Sequence, residues 1–231
     1  NPLLARVGAY YHDLGKMERP EHYVENQLYK SNPHDKLAPQ MSALIVASHV
    51  KSGIEIAKEA GLPKQIVDFI PQHHGTLLIT YFYYKAIEKF GEENVQEETY
   101  RYPGPKPQTK EAAILMMADA VEAAVRSLKE RTPSRVQSMV HTLIHDRLMD
   151  GQFDECDLTL RDLDRIESAL LPALAGTLHD RIEYPKDTRV KRRSVETLPE
   201  IVSESRDDER GRGIPDEFDR ESDEAGQDVY T

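Results

Sequence analysis

At 231 residues, with 39% apolar and 31% charged side chains, the chain is long enough for one substantial core. No apolar run approaches the roughly 18 residues that cross a bilayer, no signal peptide is visible, and a single cysteine, Cys156, excludes an intrachain disulfide and fits a reducing compartment. A net charge of −11 argues against nucleic acid as the main partner, yet admits a small phosphate ligand, because metals and a few local cations can reverse the field inside a cleft.

The chain opens on Asn1-Pro2-Leu3-Leu4 with no initiator Met and reads as a fragment of a longer protein. Residues 1–15 are expected to form a short helix, with Pro2 tolerated in its first turn and Gly15 stopping it. This stretch ends in Tyr11-His12-Asp13-Leu14-Gly15-Lys16. Neighbouring side chains on a helix point about 100° apart, so His12 and Asp13 can share a metal only near a helix end or bend. Imidazole with carboxylate suits Mn, Fe or Zn, and the second carboxylate oxygen can bridge to another ion; a salt bridge or cap is the plainer role for such a pair.

Residues 17–36 read as loop, punctuated by Pro20, Asn32 and Pro33 and carrying Glu25-Asn26-Gln27. From Pro39 to Ala60, Met41, Leu44, Ile45, Ala47, Ile54, Ile56 and Ala57 recur at helical spacing, and Gly61 ends the helix. His49 lies in its middle, where a lone histidine is commonly a hydrogen-bonded core residue. Pro63 opens a further helix with Ile66, Val67, Phe69 and Ile70, running to His73-His74-Gly75. Two adjacent imidazoles at a helix end are unusual in a purely structural role.

Ile79 to Phe90 is expected to be a helix rich in tyrosine (Tyr81, Tyr83, Tyr84), and residues 91–107 a polar loop too proline-rich for regular structure. Glu111 to Lys129 is the most apolar helix, and within it Asp119 is flanked by Met116, Met117, Ala118 and Ala120. A carboxylate in that setting is costly unless paired or bound to a cation. Two amphipathic helices follow, about 133–149 and 159–182, joined by the acidic connector Asp154 to Asp157. No alternating strand pattern occurs, so the fold class is all-α. The last 46 residues hold 14 acidic and 9 basic side chains with few large apolar ones, so 186–231 is expected to be a disordered charged tail, its Lys191-Arg192-Arg193 solvated.

Taken together, His12, His49, His73 and His74 with Asp13 and Asp119 supply four imidazoles and two carboxylates. That set is too large for one zinc and suits two metals bridged by an aspartate. His141 and His145 are spaced i, i+4, but Thr142 stands where a zinc-protease motif needs Glu, so they are read as surface or packing residues. His22, His34 and His179 carry no assignment.

The order His12-Asp13, His49, His73-His74-Gly75, Ala118-Asp119 resembles the HD-domain metallophosphohydrolases. Tyr11 to Lys16, Glu25-Asn26-Gln27, Asn32-Pro33-His34-Asp35-Lys36, Gln72-His73-His74-Gly75-Thr76, Tyr102-Pro103-Gly104-Pro105-Lys106-Pro107 and Ala118 to Ser127 together are similar to the cytoplasmic domain of the bacterial seven-transmembrane HD phosphodiesterases. The resemblance covers roughly residues 1–185 and implies a helical HD bundle, N-terminally truncated, that hydrolyses cyclic di-AMP to the linear dinucleotide pApA at two divalent ions, Mn or Fe. It assigns His12, Asp13, His49, His73, His74 and Asp119 to the metals, with Asp13 as the bridge. It also implies a membrane-embedded region outside this sequence, a location at the cytoplasmic face of the inner membrane, and a homodimer as one possible assembly. The family carries one more ligand histidine upstream of its His-Asp pair, which this sequence begins too late to include. One metal is therefore expected to lack a ligand and the fragment's activity to suffer.

With that resemblance, Asp13 and Lys16 are the catalytic candidates, Lys16 reaching a phosphate oxygen or the leaving group. Arg126, two helical turns after Asp119, is a phosphate clamp. The tyrosine run, Tyr83 in particular, and more weakly Asn26 and Lys36, are candidates for binding the base. An HD hydrolase for another nucleotide and a regulatory module that binds nucleotide without cutting it are the competing readings.

Overall fold

The structure is a computed structural model and describes residues 1–27 and 32–178. Among these, eight α-helices occur and no β-strand, only an isolated antiparallel bridge between Leu78 and Arg101. The helices are α1 (Pro2–Tyr11), α2 (Pro39–Glu59), α3 (Lys64–Val67), α4 (Phe69–Gln72), α5 (Thr80–Phe90), α6 (Lys110–Ser127), α7 (Pro133–Met149) and α8 (Leu160–Leu178). None is long and apolar enough to cross a membrane. The tail expected over 186–231 lies outside the described residues.

Local chemistry explains most boundaries. Asn1, Thr109 and Thr132 cap α1, α6 and α7, each side-chain oxygen accepting a backbone N–H of the first turn. Pro2, Pro39 and Pro133 occupy first-turn positions whose N–H has no intrahelical partner anyway. Past α2, Gly61 adopts φ +69°, the left-handed conformation that closes a helix.

Two expected boundaries move. The helix expected over 1–15 stops at Tyr11, and the chain passes through His12 and Asp13 into a 3-10 turn, Leu14–Glu18. Gly15 is not in the left-handed region and does not cap α1; its role is close approach, since its backbone lies against α2 at His49 and Gly53. The single helix expected from Pro63 to the histidine pair is two one-turn helices, α3 and α4. Pro71 has no N–H to donate to the carbonyl of Val67, so a continuous ladder cannot form there.

The largest core cluster joins α6, α7 and α8 through Met116, Met117, Val121, Val125, Val136, Val140, Ile144 and Leu163. Phe69 packs with Ala112 and Leu115 to tie α4 to α6, and Ala57, Val67 and Ile70 join α2 to the α3–α4 segment. Each fully buried large side chain contributes about 1.5–3 kcal/mol of transfer free energy. Along α2 the buried positions Ser42, Ala43, Ile45, His49, Val50, Gly53 and Ala57 form one stripe, so amphipathicity itself turns His49 inward.

The turn after α4 is held from a distance. Gln152, fully buried beyond α7, accepts from the Thr76 N–H (3.0 Å) and donates to Thr76 Oγ1 (2.9 Å) and to Asp150 Oδ2 (2.8 Å). Arg101 donates to the Thr76 carbonyl (2.8 Å) and pairs with both carboxylate oxygens of Asp150. Gln152→Ala is expected to cost about 2–3 kcal/mol, from unpaired buried groups plus a cavity. Tm then falls by roughly 4–12 °C, measurable by thermal unfolding followed by circular dichroism.

Candidate metal centre

The helix ends bring the chemistry together. His12 is the C-cap of α1, Asp13 follows it, His49 projects from mid-α2, His73 and His74 follow α4, and Asp119 lies in α6. Asp13 stands between the others. Its Oδ2 lies 3.2 Å from His12 Nε2 and 2.8 Å from Lys16 Nζ. Its Oδ1 lies 3.7 Å from both His49 Nε2 and His73 Nε2. Across from it, Asp119 Oδ1 is 3.6 Å from His12 Nε2. Ligand atoms of His49, His73 and His74 fall within 4.8 Å of one another, and so do those of His12, His73 and Asp119.

The same local device orients three of the histidines. The Nδ1–H of His12 donates to the Ala9 carbonyl (2.8 Å), that of His49 to Val46 (2.6 Å) and that of His73 to Ile70 (2.6 Å), each three residues back. A carbonyl can only accept, so Nδ1 holds the proton and Nε2 is directed inward. The His12, His49 and His73 Nε2 atoms and Asp13 Oδ1 are all buried without a hydrogen-bond partner. For the neutral His49 and His73, buried nitrogen lone pairs left unmatched beside a carboxylate are costly in a structural core and suited to a cation. A backbone carbonyl holding the distal N–H is also how metal-bound histidines are usually oriented.

Protonation states agree with this. Burial lowers the pKa of His73 to about 3 and holds His49 and His74 below the ordinary histidine value, so all three are neutral and ready to ligate at pH 7. His12 goes the other way: burial opposes its charge, but the Asp119 and Asp13 carboxylates outweigh that and raise it to about 10. Burial likewise opposes the charge on Asp13, yet His12 and Lys16 hold its carboxyl well below the usual range. The two carboxylates are thus balanced by a protonated His12 and by Lys16, and the proton on His12 occupies ground that a metal would take. The donor set, imidazole nitrogens and carboxylate oxygens, suits a divalent transition metal.

Among the described residues, large clefts adjoin the centre on two sides. One, of about 630 Å³, is lined by His12, Asp13, His49 and His74 together with Lys16, Tyr23, Glu25 and Arg126. The other, of about 640 Å³, shares His74, Asp119 and Tyr102 with the first and adds His73, Thr80, Tyr81 and Arg147. Tyr102 stacks on His74 at 4.1 Å between ring centres and 14° between planes.

The six expected ligands therefore converge. Lys16 lines the first cleft, paired with Asp13 and with Glu25 (2.7 Å). Arg126 reaches its rim with an exposed guanidinium paired to Glu122. The base-binding candidates Tyr83, Asn26 and Lys36 line neither cleft. Tyr83 packs against Tyr100 and Tyr84 in the α2–α5 cluster, while Asn26 and Lys36 are exposed in 3-10 turns. Tyr81 is the tyrosine of the run that borders the second cleft. Two residues along a helix are about 200° of rotation, so Tyr81 and Tyr83 cannot face one site together. Sequence reasoning passed over Tyr102, noted only within a proline-rich motif, and Arg147, on an ordinary amphipathic helix.

A helical bundle with a His/Asp centre of this kind defines a class of divalent-metal proteins. The chain belongs to the HD-domain family, whose model matches residues 1–124. It is 54% identical over 189 residues to the cyclic-di-AMP phosphodiesterase PgpH of Bacillus subtilis, covering 82% of this chain and 26% of that protein. Against the protein of the same name from Listeria monocytogenes it is 51% identical over 187 residues, 81% of this chain and 26% of the relative. The crystal structure of the L. monocytogenes PgpH HD domain in complex with cyclic-di-AMP is similar with a TM-score of 0.74 at 50% identity, covering 77% of this chain and 82% of that one. The chain thus spans 26% of the length of either whole relative.

Metal should stabilise the fold by mass action. At a hundredfold excess over Kd, Mn(II) is expected to add about 2.7 kcal/mol, a Tm rise of roughly 5–10 °C that a chelator reverses. The Asp119 and Asp13 carboxylates hold a proton on His12 at neutral pH, and a metal that takes His12 as a ligand has to displace it. Apparent affinity then rises with pH through the neutral range, about tenfold per unit for one proton released. Titration calorimetry in buffers of different ionisation enthalpy measures both.

Proposed function

We propose that the chain is the catalytic domain of a phosphodiesterase that hydrolyses cyclic di-AMP to linear pApA at two divalent ions, manganese or iron. The observation that carries this reading is the division of labour at Asp13: one oxygen faces His49 and His73, the other faces His12. That arrangement supports a carboxylate that would serve both ions, with His12, His73 and Asp119 grouped on one side and His49, His73 and His74 on the other. The choice of substrate rests on the kinship with PgpH, including the HD domain bound to cyclic-di-AMP.

Bound in this centre, divalent metal supplies a water nucleophile at neutral pH and offsets charge on the phosphoryl oxygens. The protein's own groups do the rest. Nδ1–H bonds to backbone carbonyls hold the imidazoles in one tautomer and orientation. Lys16 stays cationic; burial disfavours its charge, but Asp13 and Glu25 raise its pKa. It stands beside Asp13, where it meets a phosphate oxygen or charge developing on the departing 3′ oxygen. Arg126 approaches the substrate from the rim of the first cleft, and Tyr102 holds His74 by stacking. On this reading the domain works at the cytoplasmic face of the bacterial inner membrane.

The test is product analysis by chromatography. Full-length protein loaded with Mn(II) or Fe(II) is given cyclic di-AMP, cyclic di-GMP, guanosine tetraphosphate or nucleoside monophosphates. Conversion of cyclic di-AMP to pApA with the others intact is the expected result. Cyclic di-AMP left intact while another nucleotide is cut overturns the substrate, and tight binding with no turnover makes the protein a regulatory module instead.

A further inference from the structure

We propose that Arg147 binds the second phosphate of the cyclic dinucleotide, the one remote from the metals; this rests on the substrate reading above. A cyclic dinucleotide carries one negative charge on each of two phosphodiesters. The metal centre answers one of them. The other must also leave bulk water as the ring settles into the clefts, and an unpaired buried anion is expensive.

Among the described residues, three lysine or arginine side chains line the two clefts: Lys16, Arg126 and Arg147. Lys16 is already paired with Asp13 and Glu25, and Arg126 with Glu122. Arg147 differs from both. It borders the second cleft, which is continuous with the centre through His73, His74 and Asp119. Within 4.0 Å its guanidinium meets no carboxylate among the described residues, its Nη1 donates to the Leu143 carbonyl (3.1 Å), and its Nε is buried without a partner. Burial disfavours its charge, and Asp119, Asp146 and Asp150 act on it from farther off.

Holding the last turn of α7 accounts for one N–H of this side chain and leaves the buried Nε unexplained. A planar guanidinium with free donors at a cleft wall is suited to two-point binding of a phosphate. The neighbouring Thr80 and Tyr81 add hydroxyl and ring surface on the same wall. Arg147 is thus a substrate-binding residue that favours doubly anionic nucleotides over simple diesters.

Steady-state kinetics of the metal-loaded full-length protein decide it, with Arg147→Met and Arg147→Lys compared on two substrates. One is cyclic di-AMP; the other is bis(p-nitrophenyl) phosphate, a diester with a single phosphate that needs only the metal centre. Arg147→Met is expected to raise KM for cyclic di-AMP roughly ten- to a hundredfold, the effect of losing a charge-assisted hydrogen bond. Arg147→Lys raises it less, while kcat/KM on the single-phosphate diester and metal content stay unchanged. An unchanged KM for cyclic di-AMP overturns the assignment, as does a parallel fall on both substrates with a lowered Tm. If Arg147→Met fails to fold, Arg147→Lys decides by the same split. A wild type that cuts the simple diester but leaves cyclic di-AMP intact fails the substrate reading itself, and the assignment with it.

Discussion

Asp13→Ala is expected to abolish turnover, lowering kcat by at least about a thousandfold while leaving the helical fold in place. The magnitude follows from geometry. Asp13 lies within 4 Å of three imidazoles and a lysine, and it stands between both ligand groups. Losing it removes a ligand from each ion of the proposed pair, whereas removal of Asp119 or His74 touches one. Loss of metal forfeits both the activated water and the neutralisation of phosphoryl charge, and a thousandfold is only about 4 kcal/mol of barrier. The fold survives because the side chain packs no apolar core; its partners are Lys16 and the histidines. Asp13→Asn keeps the size and loses the charge, so it should lose metal and activity almost as completely. Metal content by elemental analysis, rates on cyclic di-AMP and far-ultraviolet circular dichroism separate these effects. Retention of both metals by Asp13→Ala would remove the bridge from the account.

The six side chains that converge were legible as a set more than singly: the His12-Asp13 pair and a lone His49 each have a plainer structural reading, and their order along the chain gave them weight. Asp119 is a carboxylate between methionines and alanines, His49 falls on the apolar stripe of α2, and His73-His74 ends at Gly75, whose φ of +52° lets the chain turn away. Helix periodicity, caps and prolines sufficed for α2, α5, α6 and α7. Features made by long-range contact had no such signature. Gln152 reaches Thr76 across 76 residues, a partnership no local pattern encodes. Arg147 sits on a half-exposed helix whose His141 and His145 draw the eye first, and its meaning comes only from the cleft that α5 and α6 complete. The choice of Tyr83 over Tyr81 failed for a related reason. Three tyrosines in four positions cover most of a helix's circumference, and only the packing of α5 on α2 through Phe82 and Ala86 fixes which side is buried.

Gly15 joins fold to function, and Gly15→Ala is expected to be more damaging than any other glycine-to-alanine change near the centre. A Cβ there would lie inside the His49 carbonyl oxygen and 2.5 Å from the Gly53 nitrogen. These are backbone atoms of α2, which cannot rotate aside as a side chain would. The turn and the helix must part, at a cost of about 3 kcal/mol or more, the upper end for overpacked sites. Tm should fall by roughly 6–12 °C. Gly61 makes a useful contrast, since its φ is +69° and nothing lies within 4 Å of a Cβ there. Gly61→Ala carries only backbone strain, on the order of 1 kcal/mol. Because Gly15 lies between Asp13 and the helix that holds His49, parting them also pulls two ligands apart. Metal affinity should drop about ten- to a hundredfold, as for lost supporting contacts around a metal. Gly61→Ala, remote from the ligands, should leave affinity alone. Thermal unfolding of both variants without metal, followed by Mn(II) titration, measures the two effects separately; equal Tm values for Gly15→Ala and wild type would refute the close contact on which the His12–Asp13 corner depends.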